Sequence, residues 1–223
     1  MSSRRFDYVV FDLDGTLLDT RAGIIAAAIY IMDKYKIPIP TRDVLEGIIG
    51  PPIQESFCKL FDLSDEKAIE MANAFRDVYI SEEYLLNAVP YEGIFDLFDS
   101  LKKSGVTIGI ATYKREDLAK QLLCKKGFDK YTEYIFGSDF EGKLKKSDII
   151  LTCLDNMGCK DYSKAVYIGD GKSDGTGAIT VGIVFLAVTY GFGFKTIEEA
   201  QKFDPIGVAD SCTGIREIIL GQN

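Results

Sequence analysis

The 223-residue sequence predicts an α/β fold, a doubly wound parallel sheet with an all-helical segment inserted after its first strand. From about residue 86 onward, short apolar β-branched runs alternate with segments of helical spacing, which is typical of parallel β-α units. Between about residues 20 and 85 the apolar spacing is helical throughout. We therefore predict an α/β core over 1–19 and 86–223 and a separate helical domain over 20–85, and the chain is long enough for both.

The first strand and the inserted helices follow from local patterns. The run YVVF at 8–11 is β-branched and aromatic, which predicts a buried strand. Apolar residues then recur at helical spacing over 20–35, and two prolines at 38 and 40 end that helix. Further helices are predicted over 41–47, 53–61 and 64–80.

The rest of the chain supplies the remaining core elements. Strands are predicted over 106–111, 134–136, 165–168 and 183–188. Helices are predicted over 94–103, 116–126 and 147–157, with a short glycine-rich helix after 165–168, a capping box at 196–199 and a last helix near 215–219.

Composition excludes several classes of function. The formal net charge is −8 and the basic residues are scattered, so a nucleic-acid binder is not expected. The chain has no histidine, which removes Ser-His-Asp and Cys-His catalysis and every histidine-ligated zinc site. Five cysteines without a CxxC pair, no signal-peptide pattern and no apolar run of membrane-spanning length predict a cytoplasmic protein without a membrane partner.

Polar side chains follow three of the predicted strands. Asp12 and Asp14 follow the first strand, Thr112 follows the run at 106–111, and Asp170 and Asp174 follow the run at 165–168. If these strands lie side by side, the groups converge at one edge of the sheet. Clustered carboxylates repel one another without a cation, and their hard oxygens suit Mg²⁺, which shares its ligand shell readily with phosphate.

The first of these acidic pairs fits phosphoryl transfer. Asp12 and Asp14 are two positions apart, so an extended segment places them on one face, where one can attack and the other can act as acid and base. Gly15 permits a sharp turn directly afterwards. The transferred phosphoryl group needs positive charge and donors, which Mg²⁺, a lysine and the Thr112 hydroxyl would supply.

These motifs resemble the haloacid dehalogenase superfamily, in its phosphatase branch. Segment 12–20 (DLDGTLLDT) resembles the first motif, Thr112 the second, a lysine just before a helix the third, and segment 169–174 (GDGKSD) the fourth. The resemblance covers nearly the whole chain and implies a Rossmann-like core with a C1-type helical cap. Segments 49–57 and 188–193 resemble the phosphoglycolate phosphatase-like subgroup.

The resemblance implies a role for each site residue. Asp12 would be the nucleophile, and Asp14 would protonate the leaving alcohol and then activate water. Asp12, Asp170 and the backbone carbonyl of Asp14 would hold Mg²⁺. Asp174 would support the metal site or the catalytic lysine, and Thr112 would bind phosphate oxygens.

Three lysines compete for the third motif. We choose Lys146 over Lys143 and Lys145, because it directly precedes the predicted helix start. Lys146 would bind phosphate and take part in catalysis. Two departures from the family pattern concern this region: Tyr113 follows Thr112 where relatives often carry Ser or Asn, and the common Lys-Pro pair is absent.

The expected substrate is a small phosphorylated metabolite, nominally phosphoglycolate, because a C1 cap excludes water and selects small molecules. A nucleotidase, a pyrophosphatase or a phosphomutase of the same superfamily stays open, as does a non-catalytic phosphate-binding or receiver-like protein. Asp14 argues against a dehalogenase. We interpret Gly191–Gly193 as a turn. Arg21 and Arg42 could contact an anionic substrate, but we interpret them as surface residues. The sequence predicts no oligomeric state.

Overall fold

A computed structural model describes residues 5–51 and 53–221. The chain divides into two compact units, with boundaries between Leu18 and Asp19 and between Val89 and Pro90. The larger unit contains both ends of the described chain, and the smaller unit is the helical segment between the two boundaries.

The strands lie in two sheets. The strands are β1 (Tyr8–Phe11), β2 (Leu18–Asp19), β3 (Val89–Pro90), β4 (Thr107–Arg115), β5 (Ile135–Ser138), β6 (Ala165–Gly169), β7 (Val184–Val188) and β8 (Val208–Ala209). In the described residues, six of them form one parallel sheet in the order β5-β4-β1-β6-β7-β8, which confirms the predicted fold class. Strands β2 and β3, at the unit boundaries, pair with each other.

The helices follow the same division. The smaller unit holds α1 (Arg21–Lys34), α2 (Arg42–Glu46), α3 (Ile53–Phe61), α4 (Asp65–Tyr79) and α5 (Glu82–Leu85). The larger unit holds α6 (Ile94–Lys103), α7 (Glu116–Lys125), α8 (Lys146–Asn156), α9 (Lys172–Val181), α10 (Ile197–Gln201) and α11 (Cys212–Leu220). Sequence patterns did not predict α5, β2, β3 or β8, which are only two to four residues long.

The smaller unit has its own apolar core. Phe57 of α3 and Phe75 of α4 are buried and meet edge to face, with ring centroids 6.1 Å apart. Helix α4 begins where the Ser64 hydroxyl accepts a hydrogen bond from Lys67 N. Helix α1 ends at Lys34, just before Lys36 adopts a positive φ of 57° ahead of the prolines. The end of α1 ahead of Pro38 and Pro40 agrees with the predicted stop of that helix.

The core of the larger unit positions the ends of three strands. Strand β1 lies between β4 and β6, and its residue Phe11 aligns with Ile110 and with Ile168. All three side chains are buried, and complete burial of an apolar side chain of this size contributes about 1.5–3 kcal/mol. The residues that follow these positions therefore meet at one edge of the sheet, as the sequence predicted. Strand β4 runs on to Arg115, four residues beyond its predicted end.

Candidate active site

Asp12 is the first residue after β1. Its backbone N–H donates to the carbonyl of Ile168 at 2.9 Å, which continues the pairing of β1 with β6 and fixes the start of the turn. The residue is only 6% exposed, and its Oδ1 lies 2.7 Å from Nζ of Lys146. The sheet therefore holds a nearly buried carboxylate against an ammonium group that comes from a helix 134 residues later.

Lys146 is the first residue of α8 and is 3% exposed. Its Nζ contacts Oδ1 of Asp12 at 2.7 Å and Oδ1 of Asp174 at 2.9 Å. Burial alone would lower the pKa of Lys146, but the two carboxylates outweigh burial and raise it, so the lysine stays charged. Lys143 and Lys145, the competing candidates, are exposed, and Lys143 pairs with Glu141 on the surface.

Asp170 follows β6 and lies against the loop after β7. Its Oδ2 accepts hydrogen bonds from the backbone N–H groups of Phe192 at 2.6 Å and Gly193 at 2.9 Å. Gly15 and Gly191 flank the same oxygen, and a Cβ at either position would lie 2.3 Å from it. The loop that sequence patterns identified only as a turn therefore fixes a carboxylate with its amide groups.

Asp174 lies in the first turn of α9 and is almost fully buried. One carboxylate oxygen accepts from the N–H of Gly171 at 2.9 Å, and the other contacts Lys146. The hydroxyl of Tyr167 lies 3.4 Å from that second oxygen. Asp174 thus binds the lysine and the start of its own helix at the same time.

Three carboxylates converge at this edge. Oxygens of Asp12, Asp170 and Asp174 all lie within 4.8 Å of one another. Burial raises the pKa of Asp12 to about 7 even though Lys146 opposes the shift, and burial with the neighbouring carboxylates raises the pKa of Asp170 to about 8. One ammonium against three carboxylates leaves excess negative charge, and a set of hard oxygen donors with excess charge fits a divalent cation.

Asp14 and Thr112 occupy the same edge of the sheet. Oδ1 of Asp14 lies 3.0 Å from Nζ of Lys114, in a pair whose side chains are both largely buried. Thr112 lies within β4, is 1% exposed, and its Oγ1 accepts from the N–H of Lys114 at 3.2 Å. Sequence patterns missed Lys114, because the apolar run that predicted β4 ends at Ala111, whereas β4 continues to Arg115.

Arg21 and Arg42, which the sequence offered as possible anion contacts, pair with carboxylates inside the smaller unit. Nε of Arg21 donates to both carboxylate oxygens of Asp19. On the surface, Nε of Arg42 lies 3.3 Å from Oε1 of Glu46. No helix in the described part of the chain is both long and apolar enough to cross a membrane.

Comparison with known proteins agrees with this geometry. A family model described as haloacid dehalogenase-like hydrolase matches residues 9–188. The chain is 29% identical to a 5'-nucleotidase from Pseudomonas aeruginosa over 96% of each protein. It is 32% identical to the pyrophosphatase PpaX from Bacillus velezensis over 78% of this chain and 79% of that one.

A solved structure shows the same fold over nearly the whole chain. A predicted phosphatase from Clostridium acetobutylicum matches with a TM-score of 0.89 at 32% identity, covering 97% of this chain and 99% of that one. The family match at 9–188 includes the acidic residues, Thr112 and both lysines of the site, from Asp12 to Asp174, and ends just before the loop that holds Asp170. The chain therefore belongs to the haloacid dehalogenase-like hydrolases, and it is a phosphatase of that family.

Proposed function

We propose that this protein is a Mg²⁺-dependent phosphatase that hydrolyses small phosphate monoesters through an aspartyl-phosphate on Asp12. The observation that carries the proposal is the placement of the Asp12 carboxylate, 2.7 Å from the Lys146 ammonium and within 4.8 Å of two further carboxylates. A nearly buried nucleophile, a fixed cation and a set of metal-binding oxygens are the parts that phosphoryl transfer needs.

The reaction proceeds in two displacements. A carboxylate oxygen of Asp12 attacks phosphorus, the bond from phosphorus to the ester oxygen breaks, and the departing alcohol takes a proton from the carboxyl group of Asp14. Asp14 then removes a proton from water, the water oxygen attacks phosphorus, and the bond to Asp12 breaks. Inorganic phosphate leaves, and both aspartates return to their starting states.

Other groups hold the reacting atoms in place. Lys146 neutralises Asp12 and offers N–H donors to the phosphoryl oxygens, and the Thr112 hydroxyl offers another. Asp174 contacts the same ammonium at 2.9 Å, so two carboxylates together restrict its position. Nζ of Lys114 lies 3.0 Å from Oδ1 of Asp14 and holds that carboxyl group in place. These contacts pre-arrange the site, so little reorganisation is needed during the reaction.

Mg²⁺ would be held by Asp12, Asp170 and the main-chain carbonyl of Asp14. An ion held by these residues would supply positive charge to the phosphoryl oxygens. The raised pKa values of Asp12 and Asp170 support this assignment, because burial and neighbouring carboxylates raise both, and a divalent cation would offset both effects. Asp174 is the least suitable direct ligand of the three clustered carboxylates, since Lys146 and Gly171 already occupy its two oxygens.

The substrate class is a small phosphorylated metabolite. Phosphoglycolate is the nominal substrate on the resemblance of segments 49–57 and 188–193 to that subgroup. The similarity to a 5'-nucleotidase and to a pyrophosphatase makes nucleoside 5'-monophosphates and pyrophosphate the other main candidates. The helical domain predicted over 20–85 would be the cap that selects among them.

The proposal is tested by phosphate release. Phosphoglycolate, nucleoside 5'-monophosphates, pyrophosphate and sugar phosphates are incubated with the wild-type protein and with Asp12→Asn, each with Mg²⁺ and with EDTA. We expect release that needs Mg²⁺ and that the variant loses. Release by the variant at the wild-type rate, or release unaffected by EDTA in metal-free buffer, would contradict the mechanism.

A further inference from the structure

We propose that Tyr113 is a positioning residue that fixes Lys146 relative to the end of β4; this inference rests on the proposed function. Its phenol oxygen accepts a hydrogen bond from the backbone N–H of Lys146 at 3.0 Å. Its ring also faces the same lysine, with Nζ of Lys146 5.0 Å from the ring centroid. One tyrosine therefore contacts both the backbone and the ammonium group of the lysine.

The backbone contact satisfies an N–H at the start of α8. Lys146 is the first residue of α8, so its N–H has no acceptor within the helix. The preceding residue, Lys145, carries no side-chain acceptor, and a capping side chain there would bond the second or third helical N–H and not that of Lys146. Asp148 accepts from the N–H of Lys145 at 3.0 Å, which leaves the N–H of Lys146 for Tyr113. The helix start is thus held by a strand residue 33 positions earlier.

The ring contact restricts the side chain. Asp12 and Asp174 hold the Lys146 ammonium at 2.7 and 2.9 Å, and the face of Tyr113 lies on a further side of it. The negative face of an aromatic ring attracts an ammonium group, so this contact adds to the carboxylates. Because Tyr113 directly follows Thr112, one strand segment positions both the hydroxyl and the ammonium that would bind the phosphoryl group.

Two departures from the family pattern are thereby linked. Tyr113 stands where relatives often carry Ser or Asn, and the helix that starts at Lys146 lacks the proline that often follows the lysine. The Tyr113 hydroxyl contacts the Lys146 N–H, so the unusual tyrosine binds the start of the helix that lacks the usual proline. In this chain the phenol takes part in defining where α8 begins.

The test is Tyr113→Phe, which keeps the ring and removes only the hydrogen-bond acceptor. We expect kcat to fall about tenfold, equivalent to about 1.4 kcal/mol, with KM changed by less than about twofold, because the Lys146 ammonium acts on the nucleophile. Amide hydrogen exchange at Lys146 should accelerate in the same variant, while α6 is unaffected. Tyr8→Phe is the matched control, since it removes a hydroxyl that donates to the Gly158 carbonyl at 3.4 Å, on a residue at the opposite end of β1 from Asp12.

The two readouts separate this inference from the proposed function. A variant with wild-type kcat, or one whose Lys146 amide exchanges as in the wild type, overturns the positioning role. If the wild-type protein releases phosphate from no compound, the proposed function fails, and amide exchange alone then decides: faster exchange in Tyr113→Phe supports the positioning contact, and unchanged exchange overturns it.

Discussion

Replacing Gly191 with alanine tests whether the loop after β7 sets the position of Asp170. A Cβ at position 191 would lie 2.3 Å from Oδ2 of Asp170 and 2.3 Å from the carbonyl oxygen of Gly15, whereas ordinary contact begins at 3.4 Å. Moving the carboxylate relieves only the first of these clashes, so the backbone at 191 must also shift away from Gly15. A shift of about 1 Å is of the size that costs about 100-fold in rate at a reacting centre. We therefore expect Asp170 and the loop that holds it to be displaced.

The predicted loss follows from the hydrogen bonds that hold this carboxylate. Displacement weakens the bonds from Phe192 at 2.6 Å and Gly193 at 2.9 Å, and loss of such supporting contacts lowers metal affinity by about 10–100-fold. The free energy of unfolding should fall by about 1–3 kcal/mol through overpacking. The assay is the Mg²⁺ concentration at half-maximal phosphate release, measured together with the Mg²⁺-induced rise in melting temperature.

The control is Gly127→Ala, after the C-terminal end of α7 and away from the site edge. A Cβ there meets no atom within 4 Å, but its φ of +83° strains an alanine, so that variant should lose stability with unchanged Mg²⁺ dependence. If Gly191→Ala is destabilised to the same extent and its Mg²⁺ requirement equals that of the wild type, the loop does not position Asp170.

Three further outcomes are expected. Lys146→Met should lower kcat by about 10²–10³-fold, because the Lys146 ammonium both neutralises Asp12 and lowers its pKa; a steady-state assay that finds kcat unchanged contradicts this. Asp14→Asn should lower turnover by about 10²–10⁴-fold, with the smallest loss for substrates whose leaving group needs no proton; an equal loss for nitrophenyl and alkyl phosphates refutes its acid role. Mg²⁺ affinity should rise from about pH 6 to about pH 9, because the ion binds only after Asp12 and Asp170 release the protons that their raised pKa values retain. In the Mg²⁺-free protein, the raised pKa values of these two groups stabilise the folded state fully below pH 3.8, the ordinary carboxyl value, and this stabilisation is lost as the pH rises through about 7–8. The increase in melting temperature caused by Mg²⁺ should therefore be greater at high pH. A calorimetric increase that does not change with pH would contradict this.

The convergence of Asp12, Thr112 and Asp170 was predictable because it depends on a local pattern and one general rule. Each of these residues lies at or near the end of an apolar run, and parallel strands present those ends at the same edge of the sheet. The helices of the smaller unit were predictable for a similar reason, since helical spacing and stop residues are local signals. The choice of Lys146 also used a local signal, the start of the next helix.

The supporting contacts were not predictable, because each joins segments far apart in the chain. The amide groups of Phe192 and Gly193 reach Asp170 only through the path of the loop after β7, and the sequence there indicated an ordinary turn. Lys114 pairs with Asp14 because β4 continues to Arg115. The apolar pattern predicted that this strand ends at Ala111. Tyr113 was visible as a departure from the family pattern, but its hydrogen bond to Lys146 depends on how α8 packs near β4.

The central claim, a covalent phosphate on Asp12, is tested most directly by trapping the intermediate. Turnover with Mg²⁺ is quenched with borohydride, which reduces an aspartyl-phosphate to homoserine, and residue 12 is then identified by peptide mass spectrometry. The account predicts homoserine at position 12 only when substrate and Mg²⁺ are both present, and none in Asp12→Asn. Phosphate release with residue 12 remaining entirely aspartate, or reduction at a different residue, would contradict it.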